Sequence, residues 1–220
     1  MSVPAVEALA LTRVFAPRAH SGPGVTALRE VSFVVPRGAI IALIGANGAG
    51  KTTALDVAAT LLMPTAGDVR VCGRSVINSA KEVRQLVAYC AAGGSSFWPR
   101  LTGRENLECF SALAGIGPTE RPARLADAVE RVGLPADVLN RETRTYSDGQ
   151  LQRLNLARAV MRDVSVWLLD EPTRSLDEQA QHATWALIRE AAHARGVSVL
   201  VATHDAASVA AYADDVVRLP

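Results

Sequence analysis

The stretch Gly45-Ala-Asn-Gly-Ala-Gly-Lys-Thr-Thr53 decides the fold. It has the spacing G-x-x-x-x-G-K-[ST], follows the apolar run Ala39–Ile44 and opens the segment Lys51–Leu62, a predicted helix stopped by Pro64 and Gly67. Glycines let the backbone turn tightly, so that successive N–H groups point at phosphate oxygens, while the helix start adds partial positive charge. The candidate phosphate-binding residues are therefore Gly45, Ala46, Asn47, Gly48, Ala49, Gly50, Lys51, Thr52 and Thr53. Lys51 can reach terminal phosphates, and Thr52 can place its hydroxyl on Mg2+. The spacing differs from G-x-G-x-x-G, so a dinucleotide site loses out.

Outward from this loop, the runs Leu86–Tyr89, Val164–Leu169 and Val197–Ala202 repeat the apolar, β-branched character of Ala39–Ile44. Such runs predict strands buried on both faces of a sheet covered by helices. Leu176–Ala194 predicts a helix, since Leu176, Ala180, Ala183, Leu187, Ile188 and Ala191 recur at spacings of three and four. Strand, loop, helix and strand again is the order of a parallel α/β sheet. The alternating segments Leu9–Phe15 and Val25–Val35, joined by a loop at Ala16–Gly24, predict antiparallel strands flanking it. From Ala91 to Thr145 the strands stop, and helices near Gly103–Ala114 and Pro122–Val132 predict an α-helical insertion over roughly residues 91–160.

Length and composition agree with one such domain over residues 1–220. A hydrophobic fraction of 49% and a charged fraction of 20% exclude disordered, collagenous and disulfide-scaffold classes. The net charge of +1 argues against a protein that lives on nucleic acid by bulk electrostatics. Of the 23 basic residues only Lys51 and Lys81 are lysines, so one of the two stands in the phosphate loop, where a compact charge on a flexible stem is needed. Lys81 and the arginines Arg121, Arg124, Arg131, Arg141 and Arg144, which alternate with acids, are expected on a solvated surface. Cys72, Cys90 and Cys109 form no C-x-x-C pair, so neither a disulfide framework nor a zinc site is expected, and a reducing cytosol fits. No apolar run approaches the roughly 18 residues needed to span a bilayer, and Met1–Ala10 lacks the features of a signal peptide.

Val164-Ser-Val-Trp-Leu-Leu-Asp-Glu171 delivers two adjacent carboxylates at the carboxyl end of a buried strand, where ligands of open α/β sheets bind. Neighbouring strand residues point to opposite sides, so the two acids can serve different tasks. Asp170 is placed to hold Mg2+, directly or through water, and Glu171 to polarise an attacking water as general base.

With these elements in order the chain resembles the ATP-binding cassette (ABC) ATPase family over nearly its whole length. The resemblance rests on the phosphate loop, on Asp170-Glu171, and on three further stretches: Tyr146-Ser-Asp-Gly-Gln150, similar to the family's signature; Pro172-Thr-Arg-Ser-Leu-Asp177, similar to its D-loop; and Val201-Ala-Thr-His-Asp205, which carries its switch histidine. It implies a P-loop NTPase fold with a RecA-like parallel core, ATP and Mg2+ as ligands, and ATP hydrolysis. It implies Lys51, Glu171 and His204 as catalytic residues, Thr52 and Asp170 at the metal, and Phe15 stacked on adenine. Ser147, Gly149, Gln150 and Asp177 would meet nucleotide across a head-to-tail dimer with a second nucleotide-binding subunit, identical (homodimer) or different (heterodimer). Ser147 or Asp148 would also cap the following helix, and both roles can hold together. The resemblance further implies an integral membrane permease as partner, no nucleic acid, and a cytoplasmic chain held on the inner face of the membrane through that permease.

Two departures stand out. Asp148 occupies a signature position that is usually Gly, and is expected to face outward. The family's Gln at the end of the strand near Tyr89 has no counterpart: counting back from Leu101-Thr102 the place falls on Gly93 or Gly94, and no Gln occurs between Gln85 and Gln150. Phe97, Trp98 and Pro99 head the insertion; two readings stand, a dock for a helix of the membrane subunit or packing within the insertion. The Leu-Thr-Gly-Arg-Glu-Asn106 run resembles exporter ATPases, so export is expected over import. The alternatives are a non-transport ABC ATPase or a regulatory nucleotide-binding module with weak hydrolysis.

Overall fold

The computed structural model describes residues 3–16, 24–93 and 97–220, so most of the loop expected at Ala16–Gly24, and Gly94, lie outside the described residues. In chain order the strands are β1 Val6–Phe15, β2 Val25–Val35, β3 Ile40–Ile44, β4 Ala66–Val71, β5 Arg74–Ser75, β6 Val87–Cys90, β7 Val166–Asp170, β8 Ser198–Ala202 and β9 Asp215–Arg218. The helices are α1 Lys51–Ala58, α2 Ala80–Leu86, α3 Gly103–Leu113, α4 Arg121–Arg131, α5 Ala136–Leu139, α6 Asp148–Val160, α7 Glu178–His193 and α8 Ala206–Tyr212.

The core sheet runs β6-β7-β8-β3-β9, and each neighbouring pair is parallel. Its central strands β7 and β8 are buried at every position, as their apolar stretches Val166–Leu169 and Val199–Ala202 require. The period of two sorts their side chains cleanly. Ile40, Ala42, Trp167, Leu169, Val199 and Val201 face the helical segment, while Ile41, Leu43, Val166, Leu168, Leu200 and Ala202 face α1 and the second sheet. That second sheet is antiparallel, in the order β2-β1-β4-β5.

Both N-terminal segments are strands as expected, but β4, β5 and β9 carry no apolar run and were not anticipated. Gly67, Asp68 and Arg70 interrupt β4, and β9 has charged ends and lies at the sheet's edge. Helix α1 is shorter than the predicted Lys51–Leu62. Thr60 takes the left-handed conformation with φ 61°, and the N–H groups of Leu61 and Leu62 turn back to the Asp56 carbonyl.

Helices α3 to α6 form the helical segment. Thr102 and Glu105 make a reciprocal capping box on α3, and Ser147 and Gln150 make one on α6. Phe97 packs within the insertion, buried edge-on against Phe110, whereas Trp98 tilts over the same ring and stays 44% exposed. Lys81 is exposed, and Arg124 and Arg131 pair with Glu120 and Asp127 one helical turn away. Among the described residues no helix is long and apolar enough to cross a membrane.

Candidate nucleotide site

Strand β3 ends at the loop 45–50 and α1 begins at Lys51, so the loop sits at the carboxyl edge of the parallel sheet. Gly48 and Gly50 have φ of 89° and 91°. A Cβ on Gly50 would lie 2.4 Å from the Ala27 carbonyl oxygen, because β2 presses against the loop. Lys51 is only 8% exposed, and its Nζ donates to the carbonyls of Gly45 at 2.8 Å and Ala46 at 3.1 Å. The ammonium is thus held inside the loop, curled over the space its backbone encloses.

Thr52 points from the first turn of α1 to the end of β7, where its hydroxyl donates to Asp170 Oδ2 at 2.8 Å. Asp170 is 3% exposed. Burial pushes its carboxyl above the usual range; the Thr52 hydroxyl opposes this, while the charges of Glu171 and Asp56 add to it. A hydroxyl and a carboxylate that carries this penalty form a hard oxygen donor set, which fits Mg2+. A divalent cation there would relieve the repulsion among the acids.

Glu171 leaves the strand in the left-handed region, φ 48°, with its N–H bonded to the Ala202 carbonyl at 2.8 Å. That turn aims its carboxylate away from Asp170 and toward the end of β8. Oε1 lies 2.9 Å from His204 Nδ1, and Oε2 accepts from the Thr203 hydroxyl at 3.3 Å. His204 remains open to solvent, while Glu171 is largely covered. Asp205, next to the histidine, caps α8 by accepting from the N–H groups of Ala207 and Ser208.

The structure therefore brings together Lys51, Thr52, Asp170, Glu171 and His204 at one edge of the core sheet. Phe15, at the end of β1, pairs with Val25, two residues before the Ala27 that touches Gly50; the Arg13 guanidinium lies 4.7 Å over its ring. Ser147, Gly149 and Gln150 stand apart at the start of α6, and no hydrogen bond among the described residues joins them to the loop 45–53. Asp148 is the first residue of that helix and is exposed. Asp177 caps α7. Past β6 the chain continues through Ala91, Ala92 and Gly93, so the expected Gly93 brings no side chain to the role of the Gln, and Gly94 lies outside the described residues. Sequence reasoning missed Asp56, whose carboxylate accepts from the Tyr89 hydroxyl at 2.7 Å beside this cluster.

A strand-loop-helix phosphate cradle beside a buried acid pair defines a P-loop nucleotide-binding protein. Residues 28–174 match the family model described as ABC transporter, and the chain belongs to that family as an ATP-binding cassette. It is 33% identical over 195 residues to the ABC transporter ATP-binding protein NatA of Bacillus subtilis, covering 89% of this chain and 78% of NatA. With YtrE of the same organism the identity is 36% over 185 residues, 82% of this chain and 80% of the relative. Among solved structures, the dimeric post-hydrolysis state of the ATP-binding cassette MJ0796 bound to ADP and Pi superposes with a TM-score of 0.89 at 25% identity. That match covers 97% of this chain and 94% of the other.

Proposed function

We propose that this chain hydrolyses ATP to ADP and phosphate, with Mg2+, in a head-to-tail dimer of nucleotide-binding subunits, and so drives export by a separate membrane subunit at the inner face of the membrane. The observation that carries the reading is the division of labour in the acid pair, Asp170 on Thr52 and Glu171 on His204. Lys51 neutralises charge on the terminal phosphates. Mg2+ held by Thr52 and Asp170 would supply further charge neutralisation and orient the phosphate oxygens. Glu171 accepts the proton of the attacking water, and His204, fixed by that same carboxylate, faces the γ-phosphate. The partner subunit would contribute the Ser147 hydroxyl and the Gly149 N–H at a helix start, a second anion site. Little covalent work is left to the protein in phosphoryl transfer, so positioning and charge decide the rate.

Support for a membrane partner comes from a groove of about 340 Å³ between the helical segment and the core, lined by Leu61, Tyr89, Phe110, Leu113, Arg158 and Arg162. Leu61 and Leu113 are exposed on its rim, and Trp98 lies beside it on Phe110. An amphipathic helix suits such a groove. Export is favoured by relatives named for it, such as the macrolide export protein MacB of Nitrosomonas europaea, 35% identical over 201 residues.

Glu171→Gln tests the chemistry: turnover should fall by roughly 10²–10⁴ while ATP still binds. Near-unchanged turnover of the purified variant removes Glu171 from its role. The second reading, a regulatory module with weak hydrolysis, is favoured by the lack of any Gln between Gln85 and Gln150 and by Asp148 in the signature. Absence of ATP turnover both alone and with its membrane partner would select it.

A further inference from the structure

Helix α1 turns a second polar side chain toward the metal corner, one that the phosphate-loop spacing does not call for. Asp56 follows Thr52 by four residues, so the two share a face of the helix, one turn apart. Thr52 binds Asp170 at the end of β7. Asp56 meets Tyr89 on β6, the neighbouring strand, where Tyr89 stands opposite Leu168, two residues before Asp170. The carboxylates of Asp56 and Asp170 thus look into one corner between α1 and the ends of two strands. Each is tied to this corner by a hydrogen bond, Asp170 to Thr52 at 2.8 Å and Asp56 to Tyr89 at 2.7 Å.

Asp56 takes part in no ion pair among the described residues. Its partner is a neutral phenol, kept protonated because burial, followed by Asp56 itself, pushes the Tyr89 hydroxyl well up. Placing a second uncompensated carboxylate beside a buried one is unfavourable unless a cation answers both.

We propose that Asp56, aimed by the Tyr89 hydroxyl, is a positioning residue that sets Mg2+ affinity by its charge from outside the ligand sphere. This rests on the Mg2+ and ATP reading given above. It is tested on the full chain by titrating Mg2+ into protein with a fluorescent ATP analogue, and by measuring analogue binding in chelator as well. Asp56→Asn preserves shape and the acceptor for Tyr89 but removes the charge. Its Mg2+ midpoint should rise about 10-fold, the lower end of what outer-shell changes cost. Binding without Mg2+ should hold or tighten, since a negative charge has left the phosphate site. Tyr89→Phe should shift the midpoint in the same direction by a smaller factor.

A midpoint for Asp56→Asn within about twofold of wild type overturns the proposal. So does a parallel loss of binding with and without Mg2+, which marks a structural role. Should Asp56→Asn fail to fold, Tyr89→Phe decides by the same two criteria. A wild-type chain that binds no nucleotide under either condition overturns the parent reading and this one together. A wild-type chain that binds, with both variants tracking it, overturns this one alone.

Discussion

Gly50 shows how much one residue of the loop is constrained. It precedes α1 with φ 91°, and a Cβ there would sit 2.4 Å from the Ala27 carbonyl oxygen and 2.6 Å from Leu28 Cδ2. Gly50→Ala therefore adds a left-handed penalty of roughly 1–2 kcal/mol to an overlap with backbone that cannot swing aside. The melting temperature should fall by at least about 4 °C, and nucleotide binding should be lost, because the loop must move off β2 to make room. A variant that melts and binds like wild type would show that β2 does not brace the loop. The placing of Gly50, Lys51 and Glu171 at the end of the parallel sheet was legible in the sequence because each lies in a short motif whose spacing encodes its geometry, whereas His204 beside them was reached only through the resemblance to ABC ATPases. Asp56 with Tyr89 was not legible, because the hydrogen bond joins residues 33 apart on a helix and a strand that only the tertiary fold brings together. The left-handed backbone of Glu171 was equally invisible, since a glutamate carries no sign of unusual φ.

At the scale of elements, legibility followed apolar content. Strands β3, β7 and β8 announced themselves because both faces are buried, whereas β4 and β9, with charged residues along them, are held by pairing to β1 and β3. Helix α8 was likewise hidden, being short and rich in alanine, and its order depends on its cap. The Asp205 carboxyl is held below the usual range, first by the Ser208 hydroxyl and, against an opposing effect of burial, by the N–H groups of Ser208 and Ala207. An acid lowered on folding contributes stability that is present above its unfolded value of about 3.9 and is lost as pH falls through the folded value. Asp205→Ala should cost about 1 kcal/mol at neutral pH, a drop of about 2–4 °C in melting temperature. Asp205→Asn should retain much of the cap at neutral pH and lose this contribution to the acid limb. Thermal melts from pH 3 to pH 7 check both; an acid limb for Asp205→Asn identical to wild type would remove Asp205 from that role. Because the cap adjoins His204, its loss should also loosen the contact to Glu171.

For the whole molecule, no hydrogen bond among the described residues joins the start of α6 to the chain's own phosphate loop. The Ser147 hydroxyl is occupied in capping its own helix, yet the residue is exposed, and Gly149 packs so closely on the Ser175 carbonyl that a Cβ would lie 2.9 Å from it. On the proposed reading, this helix start serves a nucleotide presented by a second subunit. ATP should therefore join two copies once hydrolysis is blocked. Glu171→Gln with ATP and Mg2+ should run at twice the monomer mass in light scattering, and at the monomer mass with ADP. Ser147→Asp in that background separates the two roles of the serine. Aspartate caps helices as well as serine does, so the melting temperature should stay close to that of the parent. Its carboxylate, however, replaces a hydroxyl donor with a charge that repels the γ-phosphate, and an interaction of a donor with a charged group is worth about 1.5–3 kcal/mol. The ATP-dependent dimer should weaken by at least about 10-fold through each of its two sites. Retention of a full dimer by this double variant would place the second half of the nucleotide site elsewhere on the surface, and a monomeric Glu171→Gln protein in ATP would remove the sandwich altogether.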